Sequence, residues 1–314
     1  MENADIVITW VDGSTPEMME KRAHFLGAAE QPLHGNGINP HRWLCSDELG
    51  YCLRSIANHA PDIRRIWILT DGQTPELPDL PASLKAKISI ADHRQIFAGY
   101  EEFLPTFNSL SIETFLWRIP GLAEHFLYFN DDVFLTAPVK FSDFFTQDGP
   151  VLRGKWADLS HLLGCEESRN DAALLNQYNQ IASGRLAGFT ADHLFESAHV
   201  VYPMQRSIME TLFAEHLEAF TANCAFRFRS TSQFLPQSLY THHCLNHGLG
   251  RISELSDHLH IPANNDGDWS AEAIKQVLSN LAGPEIKLLC INDLPEIEGR
   301  LPNVRQWIER AITQ

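Results

Sequence analysis

Five short apolar runs, each stopped by an acidic or amide residue, restrict the architectures open to this chain. They are IVITWV before Asp12, IWILT before Asp71, ISIA before Asp92, FLYF before Asn130, and LLCI before Asn292 and Asp293. Each run is continuous rather than alternating, the pattern of a strand covered on both faces in a largely parallel sheet. Between them the apolar spacing turns helical. After Ser46, which is placed to cap a helix, Leu49, Cys52, Leu53 and Ile56 fall on one face. Strands alternating with helices predict βαβ units, and in such α/β sheets ligands gather beyond the carboxyl ends of the strands. The five polar stops are therefore expected to meet at one crevice. The plainer alternative is that each is a turn residue, since Asp, Asn and Gly dominate turns, and Asp71 before Gly72 fits both readings.

The stop in FLYFNDDVFL, residues 126–135, is the most demanding of the five. Adjacent carboxylates at Asp131 and Asp132 repel each other and are costly to desolvate unless a cation or a hydrogen-bond network compensates. A hard divalent ion beside a diphosphate needs only about one or two protein carboxylates. Asn130, Asp131 and Asp132 thus read as a metal and phosphate site. Just upstream, residues 104–122 place Ile112, Phe115, Leu116 and Ile119 on one side of a predicted helix. Ser109 and Glu113, four apart, share another side that is either turned to the same crevice or solvated, with Ser109 as a cap.

Composition narrows the partners. Lys plus Arg total 24 against 40 Asp plus Glu, a formal charge of −16, which argues against a broad nucleic-acid surface or an anionic membrane surface. A hydrophobic fraction of 44% is ample for a core. The six cysteines show neither a CxxC pair nor zinc spacing, and suit small reduced core residues. No apolar run approaches the length of a membrane span, and the first strand begins almost at Met1, so a cytoplasmic protein without a signal peptide is expected. Three segments are expected: an α/β core over 1–140, an insertion or lid over 141–198 with a boundary near Gly188, and helices with a final strand over 199–314. Within the last, helix patterns run from Met204 through Phe220 and from Ser232 to His247. Asn264 to Asp268 reads as a turn. Ile274, Val277, Leu278 and Leu281 share one helix face, and Val304, Trp307, Ile308 and Ala311 share another. His242, His243 and His247 look like metal ligands but read as helix residues.

The ordered set DIVITWVDG at 5–13, SDELGYCLRSIANHAP at 46–61, IWILTDGQTPEL at 67–77, the stretch 104–135, and LLCIND at 288–293 resembles the Stealth family of sugar-phosphate transferases. That resemblance implies a Rossmann-like, glycosyltransferase-A-like fold with a mostly parallel sheet flanked by helices. It also implies transfer of sugar 1-phosphate from a UDP-sugar to a hydroxyl of a saccharide acceptor, releasing UMP, in capsule or exopolysaccharide synthesis. Carried over by motif, it places functional residues at Asp12, Ser109, Glu113, Asn130, Asp131, Asp132, His199 in HVVYP, Arg229 in FRFRS, and Asn292. Val200 and Val201 depart from the family's HAPYP-like pattern, and the closing segment is abbreviated.

By the same resemblance, Asp132 with Asn292 would hold Mg²⁺ or Mn²⁺, and Arg229 would contact the diphosphate. His199 would act as general base or phosphate contact, with Glu113 positioning the acceptor or sharing the base role. Asp12 and Asp71 would line the nucleotide or sugar pocket, and peripheral association with membrane capsule machinery is expected. Two other readings remain: a metal-dependent glycosyltransferase releasing UDP, and a catalytically silent sugar-nucleotide binding module.

Overall fold

The computed structural model describes residues 1–29, 33–262, 269–281, 283 and 285–313; the expected turn at 264–268 lies outside them. The strands, in chain order, are β1 (Ala4–Thr9), β2 (Arg65–Thr70), β3 (Ile88–Asp92), β4 (His125–Asn130), β5 (Val133–Leu135), β6 (Phe145–Thr146) and β7 (Gly149–Leu152). They continue with β8 (Gly154–Ala157), β9 (Leu194–Ser197), β10 (Tyr202–Gln205), β11 (Arg251–Ile252), β12 (His258–Ile261) and β13 (Leu288–Ile291). The main sheet has the order β10-β4-β1-β2-β3, parallel except for β10. This is the α/β, mostly parallel sheet that the apolar runs predict, with the Rossmann-like arrangement that the family resemblance implies.

Why those runs are continuous is visible in the packing. Ile6, Ile8, Ile66, Ile68, Leu127 and Phe129 face one core, shared with Leu53 and Ile56 of the helix Glu48–His59 and with the helices Ala271–Asn280 and Val304–Thr313. Val7, Trp67, Leu69, Phe126 and Tyr128 face a second core, shared with Phe115, Met209, Leu212 and Leu239. In β1, β2 and β4 both faces are covered, so neither parity meets water and no polar alternation survives, whereas β3, at the sheet edge, leaves Ile90 41% exposed. Ile274, Leu278, Val304, Ile308 and Ala311 are buried, as the helical spacing predicts.

The fifth run departs from the expected arrangement. β13 lies in a separate three-stranded sheet, parallel to β12 and antiparallel to β5. The chain leaves the main sheet at Asn130, turns through Asp131 and Asp132, and joins this second sheet at Val133. The Asp132 carbonyl accepts from Ile291 N at 3.1 Å, and Ser55 Oγ accepts from Leu135 N at 3.0 Å. Two sheets thus share a corner made of the acidic pair.

Local boundaries also shift. Asp47, not Ser46, occupies the N-cap of Glu48–His59, with φ of 67° and no capping side chain, because the Glu48 carboxylate reaches back to Ser46 N at 2.8 Å. The helix expected within 104–122 is only Ser109–Glu113, followed by a 3₁₀ turn at Leu116–Arg118. Thr114 and the aromatic residues after it are weak helix formers, and Pro120 bars continuation. Met204 belongs to β10, where it pairs with Phe126; the helices Arg206–Glu215 and Leu217–Cys224 follow. Residues 141–198 hold short strands and the helix Leu175–Leu186. All six cysteines are free. Among the described residues no helix is long and apolar enough to cross a membrane.

A buried ion pair joins the start of the second sheet to the rest. Arg153 donates to Asp257 through Nε at 2.8 Å and Nη2 at 2.7 Å, with both side chains at most 5% exposed. Burial pushes the Asp257 carboxyl up, but the Arg153 bonds outweigh it and hold the group well below the usual carboxylate range. Asp257→Asn, which strands the guanidinium, is expected to cost about 3–5 kcal/mol by urea unfolding at pH 7. A depressed carboxyl pKa gives stability that is present above the unfolded value and lost as pH falls through the folded one. The difference between wild type and variant should therefore shrink below about pH 4.

Candidate active site

A cleft of about 840 Å³ opens at the carboxyl ends of β1 and β4 and runs between the two sheets. Ser109, Glu113, Asn130, Asp131, Asp132, His199, Arg229 and Asn292, drawn from five separated segments, all line it.

The acidic corner carries the largest electrostatic demand. Glu48 joins Asp131 and Asp132 there. Burial pushes Asp131 far up, and the charges of Asp132 and Glu48 push it further; burial also raises Asp132 and Glu48. Asp132 Oδ2 accepts from Asn292 Nδ2 at 2.6 Å, whereas Asp132 Oδ1 is buried with no hydrogen-bond partner. Ligand atoms of Asp132, His199 and Cys290 lie within 4.8 Å of one another. Burial, reinforced by Asp132, raises the Cys290 thiol. An orphaned carboxylate oxygen among crowded carboxylates, with an imidazole beside it, fits a divalent cation with oxygen and nitrogen preference. Asn292 sits just beyond β13 and is followed by Asp293, whose φ of 53° makes the sharp turn into the helix Leu294–Arg300.

The opposite wall is cationic and aromatic. Asn108, not Ser109, caps the helix Ser109–Glu113 by accepting from Leu110 N at 3.1 Å. That leaves Ser109 Oγ to accept from Arg229 Nη2 at 2.7 Å. Gly37 allows this placement of Arg229, since a Cβ there would come within 3.0 Å of the Arg229 backbone. Neighbouring Arg227 donates instead to the Phe103 and Pro105 carbonyls at 2.7 Å, tying down the loop before the helix.

Burial pushes the Glu113 carboxyl up, opposed by Arg229 and by the Tyr128 hydroxyl, and Glu113 Oε2 has no partner. The Tyr128 oxygen lies 2.9 Å from Glu113 Oε1 and 2.7 Å from Asn130 Oδ1. The hydroxyl has one proton for these two acceptors, and Thr9 Oγ1 also lies 3.2 Å from it, so Tyr128 ties Glu113, Asn130 and Thr9 into one buried set. Asn130 Nδ2 then faces His199 Nε2 at 3.4 Å.

Asp12 and Asp71 are not among the cleft-lining residues, although Trp10 and Val11 are. Asp12 Oδ1 accepts from Ser14 N at 2.9 Å and fixes the loop after β1; Asp71 pairs with Lys21 at 2.8 Å. Asp92 caps a short helix and accepts from Gly72 N at 2.9 Å. Of the five polar stops, those after β4 and β13 converge in the cleft. His242 is buried and structural, its Nε2 accepting from Phe195 N at 3.1 Å. Sequence reasoning missed His260, Tyr128 and Glu48, all at or beside the site. Tyr128 lies inside an apolar run, and Glu48 reads as a first-turn helix acid. His260 lies in the run HLHI, whose alternation with other histidines was the only signal available.

The match to known proteins follows this geometry. Residues 42–152 match the model of Stealth protein conserved region 2. The receptor polysaccharide phosphotransferase WefC of Streptococcus oralis is 30% identical over 258 residues, an overlap of 74% of this chain and 75% of that protein. The chain belongs to the Stealth family. Two exopolysaccharide phosphotransferases of Streptomyces coelicolor are also similar. One is 35% identical over 75% of this chain and 42% of its own length, the other 32% over 99% and 50%. This Stealth chain therefore spans half or less of those two relatives. Among solved structures, the galactosyltransferase LgtC covers 98% of this chain and 95% of its own, with 13% identity and a TM-score of 0.44.

If the acidic corner takes a divalent cation, Mg²⁺ or Mn²⁺ will stabilise the folded protein by about 2.7 kcal/mol at a hundredfold excess over its Kd. The rise in Tm measured by scanning calorimetry should disappear in Asp132→Asn; an equal rise in the variant would place the cation elsewhere.

Proposed function

We propose that this Stealth protein transfers sugar 1-phosphate from a UDP-sugar to a saccharide hydroxyl, forming a phosphodiester and releasing UMP. The observation that carries the reading is the cleft itself. It sets an unpartnered Asp132 oxygen and His199 in the same space as the half-buried Arg229, with Glu113 on the same wall. Phosphoryl transfer needs charge neutralisation and in-line positioning more than covalent help from the protein.

The residues divide that work. Asp132, with Asn292 and the neighbouring Asp131, would hold Mg²⁺ or Mn²⁺, which when bound neutralises charge on the donor diphosphate. Arg229, braced by Ser109, presents its guanidinium to phosphate oxygens. The acceptor oxygen forms a bond to the phosphorus bearing the sugar, and the bond from that phosphorus to the UMP oxygen breaks. His199 takes the hydroxyl proton, and Glu113 and Asn130 orient the acceptor and the imidazole. The nucleotide would lie along the β1 end of the cleft near Asp12 and Asp71. Residues 141–198 act as a lid or wall, since Asn176, Gln180 and Ser197 line the same cleft. Family membership extends the reading to capsular or exopolysaccharide synthesis, beside membrane-bound enzymes at the cytoplasmic face.

The released nucleotide tests the reaction: phosphorus NMR of the products should show UMP and a phosphodiester, whereas UDP would mean glycosyl transfer. His199→Ala should lower turnover about 10²- to 10⁴-fold, and Asp132→Ala at least as far, with melting temperatures in metal-free buffer unchanged. Near-full activity in both would refute the site.

A further inference from the structure

His260 has no role in the reading above, yet it sits inside the cleft on β12, its ring centroid 5.2 Å from that of His199. Its Nε2 is hydrogen-bonded to Asn292 Oδ1, and Asn292 Nδ2 donates to Asp132 Oδ2 at 2.6 Å. The direction of this chain follows from chemistry. A carboxylate only accepts, so the amide must turn its NH₂ group to Asp132 and its oxygen to His260, which must then carry its proton on Nε2. The remaining Nδ2 hydrogen is taken by Cys290 Sγ at 3.5 Å. β12 and β13 run in parallel register with His260 beside Cys290, and Asn292 N donates to Ile261 O at 3.0 Å, so the backbones of donor and acceptor are fixed together. Asp132 is thereby held through one oxygen while its other oxygen stays unpartnered.

We propose that His260 is a positioning residue: acting through Asn292, it orients Asp132 and so sets the affinity of the acidic corner for a divalent cation. The inference rests on the cation reading given above. Outer partners of metal-binding side chains typically contribute about 10- to 100-fold in metal affinity, because they remove the freedom of the ligand to rotate. Without the His260 donor, the Asn292 amide is free to turn, and Asp132 loses the bond that fixes its plane.

Titration of the full chain with Mn²⁺, followed by the electron paramagnetic resonance signal of the free ion and with no donor present, tests this apart from turnover. His260→Ala should weaken binding about 10- to 100-fold. His260→Gln, whose amide places an N–H near the Nε2 position, should recover most of the affinity. In an Asn292→Ala background, His260→Ala should have no further effect, since the two act in series. His260→Phe keeps a ring against His199 without a donor, and replaces the alanine variant if that melts below the assay temperature. The proposal is overturned if His260→Ala and His260→Phe bind Mn²⁺ as wild type does. It is equally overturned if Gln fails where Ala fails, which would make the imidazole itself a ligand, or if the two losses add in the double variant. A wild type that binds no Mn²⁺ would remove the cation reading as well, whereas normal wild-type binding with indifferent His260 variants removes only this inference.

Discussion

The repulsion between Asp131 and Asp132, at the corner where β4 hands the chain to β5, is the constraint around which the rest is arranged. Burial raises both carboxyls, and Glu48 adds a third acidic group from the helix behind them. A protein tolerates such a cluster where a counter-charge arrives with a ligand, and here one oxygen of Asp132 is left with nothing to bond. The surrounding architecture serves to hold this cluster without collapsing it. β13 supplies Asn292 to one side, β12 supplies His260 behind that, and the two cores pin the sheets that carry them.

Opposite the corner, charge is handled differently. Arg229 is half-buried and braced on Ser109, and Glu113 lies deep enough for burial to raise its pKa, so the pair is not a simple ion pair. Glu113, Tyr128 and Asn130 form a connected set of hydrogen bonds that reaches His199. In that arrangement the cleft presents one anionic end and one cationic wall across about 840 Å³. The formal charge of −16 across the chain gives no hint of such local polarity. A few residues, placed by distant segments, create it.

Legibility differed sharply between levels. The runs at 5–9, 65–70, 88–92 and 125–130 could be read as parallel strands, and the sheet bears this out, although only the first, second and fourth are covered on both faces; 88–92 is a half-exposed edge strand. Helix faces at 271–280 and 304–313 were equally readable, since their burial has a period near 3.6. Boundaries were less so. The Ser109–Glu113 helix is far shorter than its apolar pattern, and the cap before Glu48–His59 is Asp47 in a left-handed conformation, which no propensity favours strongly. Both deviations lie beside the cleft, where local preference yields to the placing of Ser109 and Glu48.

By itself the sequence determined the α/β class, the central strands and the acidic stop after β4, because hydrophobic periodicity and adjacent like charges act over a few residues. It determined the family through ordered motifs. Only the tertiary structure decided that β13 belongs to a second sheet, that Asp12 and Asp71 hold loops, and that His260 reaches Asp132 through Asn292. Those contacts join positions separated by as many as 160 residues. Their partners are chosen by how sheets and helices pack, and local chemistry carries no record of that choice.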